Sequence, residues 1–490
     1  MAAATTPSED QVPLKLFMCK EKNKVFFAEA GKDFVDALFS FLTLPLGTIA
    51  RIVSKESNIE PIKVGCLSSL YESVANLDKE CMWTEACKEM LMKPRNSMEA
   101  YCKNQKLNID DTDPTEFFIC KDFGCSRKHG GPLSTFLNVR CSCGKLMCRK
   151  VSSKNLTIRN GFVSEVASFI VSDDLCVMPN EITASVSILQ NHGIENVDVI
   201  EEQIVNISKK EVVDLLKCSL LSKTPLTDLF LKKKQLLDDF DPSYHPQFEV
   251  AEVKNDGARK IVLKVLVRKS NGKILFTQAE EDFADFLFSF LTFPLGGVLH
   301  MLEGYSSLCC IDNLYKSISN LSLDRYLISR DLKDELANPL CAPQFNLRNQ
   351  ILPIGAAGAP TYWFTSYYVN GAECGSLDDV AIHPDAKNFS KVYLYLVDPK
   401  SSTGETSSSR GFVKGPSTYI VTDDLVVTPM STISSVSLLN RSKVPLSDLE
   451  ERIICIGLKE GLSMLKAALT STRALSNSLN QLIKPTKEEN

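Results

Sequence analysis

The chain repeats one stretch of its own sequence: residues 33–52 read DFVDALFSFLTLPLGTIARI, and residues 282–301 read DFADFLFSFLTFPLGGVLHM. Aligned without a gap, the two stretches are identical at 12 of 20 positions. Two further pairs of segments align with 10 and 9 of 20 residues identical: 171–190 with 421–440, and 201–220 with 450–469. Three separated blocks at offsets of 249, 250 and 249 residues indicate a tandem duplication of one module.

Each module is expected to begin with a β-hairpin. Residues 14–28 alternate in polarity around the polar tip Glu21-Lys22-Asn23-Lys24, and residues 261–277 do so around Asn271-Gly272. Alternation predicts half-buried strands, and Asn-Gly is a strong signal for a tight hairpin turn.

The repeated stretch itself is expected to form helices broken at a proline. Apolar residues recur at helical spacing in both copies: Phe34, Ala37, Leu38, Phe41 and Leu42, and then Phe283, Phe286, Leu287, Phe290 and Leu291. Pro45 and Pro294 follow, and a proline lacks the N–H that an uninterrupted helix needs. We therefore expect two short helices in each copy.

The rest of each module is less regular. A second helix is predicted at 67–77 and 311–321, followed by a divergent, strand-rich middle and by a strand around 168–177 or 418–427. A final helix begins near Ser208, where Glu211 completes a capping box. The predicted fold is α+β, arranged as follows: a disordered N-terminal tail at 1–12, module one at 13–238, a linker at 239–260, module two at 261–484 and a polar C-terminal tail at 485–490.

Composition bounds the functional classes. With 490 residues, 44% hydrophobic and a net charge of -5, the chain is typical of globular proteins and has no electrostatic feature that favours nucleic acid. The apolar stretches 37–50 and 286–302 are shorter than the roughly 20 residues of a membrane span, so buried helices are expected. Seventeen cysteines without a secretion signal indicate a reducing compartment, the cytoplasm or nucleus.

Several motifs together resemble a known family. The hairpin, F-L-T-x-P-L-G, C-x-C-G-K-L-M, and K-E-x-x-x-x-L-K near the end of each copy are similar to the plant family of duplicated domains of unknown function numbered six-seven-four. The resemblance covers nearly the whole chain and implies a plant source and α+β repeats. It implies no activity, and it offers no catalytic residues.

A cluster of cysteines in module one carries the strongest chemical signal. Cys120-x4-Cys125 and Cys141-x-Cys143 form two close pairs, the arrangement that tetrahedral zinc commonly uses. Because C-x-C is tighter than the usual pair, Cys148 could replace either member and His129 could substitute once. The alternative is a set of free thiols on strands around a hairpin. Module two has lost the cluster, since Cys374 is alone in the matching stretch.

Repeated polar residues point only weakly to catalysis. Adjacent residues on a strand face opposite ways, so Asp173-Asp174 and Asp423-Asp424 are expected to serve a turn or helix cap. Lys217 and Lys466 recur in the final helix and are expected to be solvated or to snorkel.

Two functional hypotheses follow from these residues. The preferred one is a non-enzymatic binding or scaffold protein with an unidentified protein partner and a structural zinc ion in module one, without catalytic residues. The alternative is an enzyme whose site lies between the modules and is built from residues such as Asp173, Asp174 and Lys217. The oligomeric state is left open.

Overall fold

The computed structural model describes residues 11–128, 130–152, 159–232, 259–322, 325–356, 362–369, 372–378, 391–401 and 411–483. The predicted linker up to residue 258, His129, the N-terminal tail up to residue 10 and the C-terminal tail lie outside the described residues. The strands, in chain order, are β1 (Val12–Cys19), β2 (Lys24–Ala30), β3 (Phe117–Cys120), β4 (Gly131–Leu133), β5 (Val139–Arg140), β6 (Leu146–Val151), β7 (Phe169–Ser172), β8 (Val177–Pro179), β9 (Glu201–Ile207), β10 (Ile261–Arg268), β11 (Ile274–Glu280), β12 (Tyr362–Val369), β13 (Ala372–Asp378), β14 (Lys391–Leu396), β15 (Thr418–Thr422), β16 (Val427–Pro429) and β17 (Leu449–Ile456).

The helices are interspersed with these strands. In chain order they are α1 (Lys32–Thr43), α2 (Leu46–Val53), α3 (Leu67–Asn76), α4 (Glu85–Met92), α5 (Glu99–Cys102), α6 (Ile182–Asn191), α7 (Lys209–Leu221), α8 (Pro225–Thr227), α9 (Glu281–Ser289), α10 (Leu295–Met301), α11 (Cys309–Asn320), α12 (Arg330–Ala337), α13 (Thr432–Ser442), α14 (Leu458–Thr470) and α15 (Ala474–Ile483). The fold class is α+β, as the sequence predicted.

Two five-stranded sheets organise the described residues. One has the order β8-β7-β2-β1-β9 and the other the order β16-β15-β11-β10-β17. Strands at matching places in these orders come from matching parts of the sequence, because β1 and β10, like β2 and β11, are the two predicted hairpins. The sheets therefore share one strand order.

The proline breaks are confirmed. Helix α1 ends at Thr43 and α2 begins after Pro45, while in the second half a short 3-10 turn separates α9 from Pro294 and α10. The two breaks meet: the Leu46 N–H donates to the Phe293 carbonyl at 2.9 Å, and the Leu295 N–H donates to the Leu44 carbonyl at 3.0 Å. The glycine of each L-G pair is needed for this approach, since a Cβ on Gly47 would lie 2.9 Å from the Leu291 carbonyl oxygen.

The first half of the chain, up to residue 232, and the second half, from residue 259, contact each other in matching ways. Ser73 on α3 accepts a hydrogen bond from the backbone N–H of Val427 at 3.0 Å, and Ser317 on α11 accepts one from Val177 at 2.9 Å. Likewise, the Trp83 N–H donates to the Phe412 carbonyl, and the Ile328 N–H donates to the Phe162 carbonyl. Helical segments of each half thus pack on the sheet of the other half.

The apolar stretches are buried within the protein. Phe34 and Phe283 are 1% and 0% exposed and belong to one large core shared by both halves. Among the helices that the structure describes, none combines the length and hydrophobicity needed to cross a membrane.

Two sequence-based expectations need correction. The strand predicted around 168–177 is a hairpin, because Leu175 adopts a positive φ of 62° in a turn between β7 and β8. The left-handed backbone at Leu175 is part of the turn that lets β8 pair with β7. Such a conformation is uncommon for leucine, and the alternating pattern alone does not predict it. Lys217, expected to be solvated or to snorkel, is 0% exposed.

Candidate metal centre

The end of one strand and two short turns present the four cysteines. Cys120 ends β3, and Cys125 ends the 3-10 turn that follows it. Cys141 and Cys143 lie in the tight connection between β5 and β6, which pair in one sheet with β3. Gly144 closes this connection with a φ of 83°, a conformation that favours glycine, and its N–H donates to the Cys141 carbonyl at 2.8 Å.

The four sulfur atoms converge. The Sγ atoms of Cys120, Cys125, Cys141 and Cys143 all lie within 4.8 Å of one another, and those of Cys120 and Cys143 are 3.5 Å apart. A tetrahedron with Zn–S bonds of about 2.3 Å needs sulfurs roughly 3.5–4 Å apart, so a small contraction would bring the group to metal-binding geometry. The arrangement is compatible with a metal ion.

Backbone N–H groups point at these sulfurs. The Asp122 N–H lies 3.3 Å from the Cys120 sulfur, and the Lys145 N–H donates to the Cys143 sulfur. Such hydrogen bonds stabilise thiolates, and they arise because each turn directs its amides inward. Asp122 shapes its turn by accepting from the Gly124 N–H at 3.0 Å, and it also pairs with Lys145 at 2.8 Å.

The thiols have divergent pKa values. The Lys145 N–H is the largest influence that lowers the pKa of Cys143, to about 7, and hydrogen bonds from the neighbouring thiols add to it. Burial is the main influence that raises the pKa of Cys125 to about 11, and it also raises the pKa of Cys120. Cys143 is therefore the thiol whose ionisation the surrounding N–H and S–H groups favour. A divalent cation would replace the thiol protons.

The two substitutes considered from the sequence have different outcomes. Cys148 is exposed on β6 and does not belong to the convergent group. His129 lies outside the described residues. Among the residues that the structure describes, the four cysteines are the one group of three or more Cys, His, Asp or Glu side chains close enough to hold an ion.

The cysteine turns rest on strands from the second half of the chain. Phe123, in the turn before Cys125, contacts Phe364 on β12 with ring centroids 5.7 Å apart. Strand β4 pairs in parallel with β14, and Cys374 lies on β13 of the same four-stranded sheet. A small apolar cluster joins the two parts: Phe117, Ile119, Leu133, Val151, Phe364, Leu377, Val392, Leu394 and Leu396.

The repeated aspartates cap helices, in line with the expectation. Asp173 accepts from the backbone N–H and the hydroxyl of Thr227 at 2.9 and 2.7 Å, in the single turn of α8. Asp423 does the same with Ser476 at the start of α15, at 2.8 and 2.9 Å. Burial raises the pKa of Asp173 to about 6. Asp174 accepts from the Ser172 hydroxyl within the turn.

The ammonium group of Lys217 also has a structural role. Its ammonium group donates to the Lys55 carbonyl, the Ser57 hydroxyl and the Ile59 carbonyl at 2.7–2.9 Å. Sequence periodicity could not reveal this burial, because the acceptors come from a loop about 160 residues earlier. Sequence reasoning also missed Asp122 and Lys145, although their places beside the cysteine pairs were a visible signal.

Comparison with known proteins gives the chain a family without an activity. No curated protein matches the chain. No solved structure matches it either. A family model described as "Protein of unknown function (DUF674)" matches residues 8–459. This chain belongs to the DUF674 family of proteins of unknown function.

Proposed function

We propose that the first half of the chain binds one structural zinc ion through Cys120, Cys125, Cys141 and Cys143. The observation that carries this proposal is the convergence of the four sulfurs within 4.8 Å. Four thiolates are a soft ligand set that zinc favours, and they close its coordination sphere. A closed sphere leaves no position for water or substrate, so the role is structural.

The ion would cross-link the turn after β3 to the connection between β5 and β6. Strands β3, β5 and β6 contribute Phe118, Val139 and Met147 to the large core, and β3 also contributes to the small cluster shared with the second half. The turns that carry Cys125 and Cys143 are more exposed than these strands, and a metal ion would hold them together. Since the second half has no matching set of cysteines in its sequence, packing alone must hold its corresponding region.

We further propose that the chain is a tandem duplication that works as a non-enzymatic binding or scaffold protein. The shared strand order of the two large sheets supports the duplication. The reciprocal bonds Ser73–Val427 and Ser317–Val177 support it independently. The absence of catalysis is supported by the roles of Asp173, Asp423 and Lys217, whose polar atoms serve caps and a loop. The resemblance noted in the sequence adds a plant source to this proposal.

Elemental analysis of purified protein tests the metal site. We expect about one zinc per chain, lost in Cys143→Ser and kept in the matched control Cys148→Ser, which changes an exposed thiol on the adjacent strand. Replacement of zinc by cobalt should give the intense thiolate-to-cobalt absorption of a four-sulfur site. Metal-free protein with full thermal stability, or equal zinc loss from both variants, would contradict the proposal.

Affinity capture from plant extract, with the Cys143→Ser chain as comparison, tests the binding role. We expect a protein partner retained by the wild-type chain. Turnover of a small molecule by the purified chain, lost in Asp173→Asn without loss of folding, would instead support the enzyme with a site between the halves.

A further inference from the structure

A second pair of matching sites involves two buried carboxylates, Asp36 on α1 and Asp285 on α9, at the repeat offset of 249 residues. Asp36 Oδ1 accepts from the backbone N–H groups of Phe162 and Val163 at 2.7 and 3.0 Å. Asp285 Oδ1 accepts from Phe412 and Val413 at 2.8 and 3.0 Å. The two carboxylates are therefore held in the same way.

Glycines make room for both carboxylates. A Cβ at Gly161 would lie 1.9 Å from Asp36 Oδ2, and one at Gly411 would lie 1.4 Å from Asp285 Oδ2. The sequence Gly-Phe-Val occurs at both places, 161–163 and 411–413. This short repeat lies in the region where the two halves otherwise align poorly.

The two sites differ at the residue four positions before the carboxylate, which is Lys32 in the first half and Glu281 in the second. In the first half, Lys32 Nζ donates to Asp36 Oδ2 at 2.8 Å and to the Val163 carbonyl at 2.7 Å. The matching position in the second half is Glu281, whose carboxylate accepts from the Ser417 N–H at 3.1 Å. Among the residues that the structure describes, no cationic group lies within ion-pair distance of Asp285, although Asp285 is only 7% exposed.

A cavity of about 160 Å³ lies beside Asp285. Trp83 from the first half forms part of its wall, together with Glu281, Asp285, Arg348 and Val413 from the second half. At about 30 Å³ per water, this volume corresponds to roughly five water molecules or a small organic molecule. A larger cavity, of about 410 Å³, lies beside Lys32 in the first half, so both sites are open, and the second-half cavity has Glu281 in place of the internal ammonium group.

The charged residues that line the cavity are mostly acidic, since Glu281, Asp282 and Asp285 face it together with one basic residue, Arg348. Burial is the main influence that raises the pKa of Asp285 to about 7, and the charge of Asp282 raises it further. Lys400 acts in the opposite direction from a greater distance, because its ammonium group donates to the Gln344 carbonyl. A cation that enters beside Asp285 would stabilise the ionised carboxylate.

We infer that this cavity binds the ammonium group of a small primary amine, held by the Asp285 carboxylate and the Val413 carbonyl as Lys32 is held by Asp36 and Val163. The independent support is Lys32 itself, an ammonium group already bound at the matching site of the same chain. A metal ion is disfavoured, because within the described residues Glu281 and Asp285 have no third side-chain ligand close enough to complete a set.

Calorimetric titration of the full chain with n-butylamine, and with n-butanol as its neutral counterpart, tests the inference. We expect the amine to bind and the alcohol not to bind. Glu281→Lys, which restores the first-half arrangement, should weaken amine binding by about tenfold or more, and so should Asp285→Asn. The matched control Asp36→Asn should leave the affinity for butylamine unchanged.

Lys32→Ala provides a positive control. It removes the internal ammonium group in the first half and should create a second amine site, seen as a doubled stoichiometry with a raised melting temperature in butylamine. Equal butylamine affinity in wild type and Glu281→Lys would overturn the inference. So would a wild-type chain that ignores butylamine and instead binds calcium or magnesium through Asp285.

Discussion

The two halves of the chain build the same five-stranded sheet around different polar groups. The first half carries the four cysteines and an ion pair between Lys32 and Asp36 at 2.8 Å. The second half has Glu281 where the lysine would be. A cavity of about 160 Å³ lies beside Asp285, and one of about 410 Å³ lies beside Lys32 in the first half. Their apolar frameworks agree because a core tolerates little change in volume or register. Polar groups can be replaced at a site whenever neighbouring groups compensate. The polar differences between the halves are therefore the most informative guide to function.

Removal of the proposed zinc ion should produce the largest difference in stability between the two halves. A chelator should destabilise the first half by about 4 kcal/mol or more, because the turns around the cysteines lose their cross-link. Hydrogen exchange measures this locally: amides of β3, β5 and β6 should lose protection, while those of β10 and β11 keep theirs. Uniform loss of protection across both sheets would mean that the ion does not act on the first half alone.

The second-largest difference in stability is expected between substitutions of Lys217 on α7 and of the matching Lys466 on α14. Lys217→Met should cost about 3 kcal/mol of unfolding free energy, because it leaves the buried acceptors around Ser57 and Ile59 without their donor. Lys466→Met, at the matching but only half-buried position, should cost less than about 1 kcal/mol. Chemical denaturation of both variants provides the comparison, and equal losses would show that the two helices are fixed in the same way.

The matching carboxylates should respond oppositely to neutralisation. Burial raises the pKa of Asp285 from 3.8 to about 7, so the folded state holds its proton more tightly than the unfolded state does. Its contribution to stability is full below pH 3.8 and is lost as the pH rises to about 7, by roughly 1.4 kcal/mol per pH unit within that window. Asp285→Asn should remove this slope and leave the chain more stable at pH 8.

Asp36→Asn should instead destabilise the chain at pH 8, by about 2 kcal/mol, because Lys32 loses its buried counterion. Burial raises the pKa of Asp36 as well, but the ion pair with Lys32 opposes that rise. Unfolding free energies of both variants between pH 4 and pH 8 test the contrast. The same sign of change for both at pH 8 would show that Asp285, like Asp36, is paired with a cation, which no residue among those that the structure describes supplies. Glu281 and Asp282, which also face this region, should be left unchanged in the experiment.

The smallest effect is expected for the two hydrogen bonds that join the halves through Ser73 and Ser317, and the two losses of stability should be equal. Ser73→Ala and Ser317→Ala each remove the acceptor for a buried N–H, that of Val427 or Val177, and should each cost about 1 kcal/mol. Thermal denaturation of both variants checks this equality. A large loss in one variant and none in the other would contradict the reciprocal packing.

Local patterns in the sequence predicted most of the framework. Alternation predicted the hairpins β1–β2 and β10–β11, Pro45 and Pro294 predicted the helix breaks, and Ser208 with Glu211 predicted the capping box. Each of these depends on residues a few positions apart, whose steric and hydrogen-bonding preferences act within one turn or strand. The spacing of the cysteines likewise predicted which four sulfurs come together, because all lie within 24 residues.

Contacts between distant residues were decided only by the tertiary structure. The burial of Lys217 depends on a loop at residues 55–60, and the turn at Leu175 divided a strand that the pattern left continuous. The exchange of helices between the halves could not be read from two similar sequences, since each half could equally have packed on itself. By itself, then, the sequence predicted the hairpins, the helix breaks and which four cysteine sulfurs converge. The tertiary structure decided which half each helix packs against and that Asp285 faces a cavity, because these depend on groups that meet only once the chain is folded.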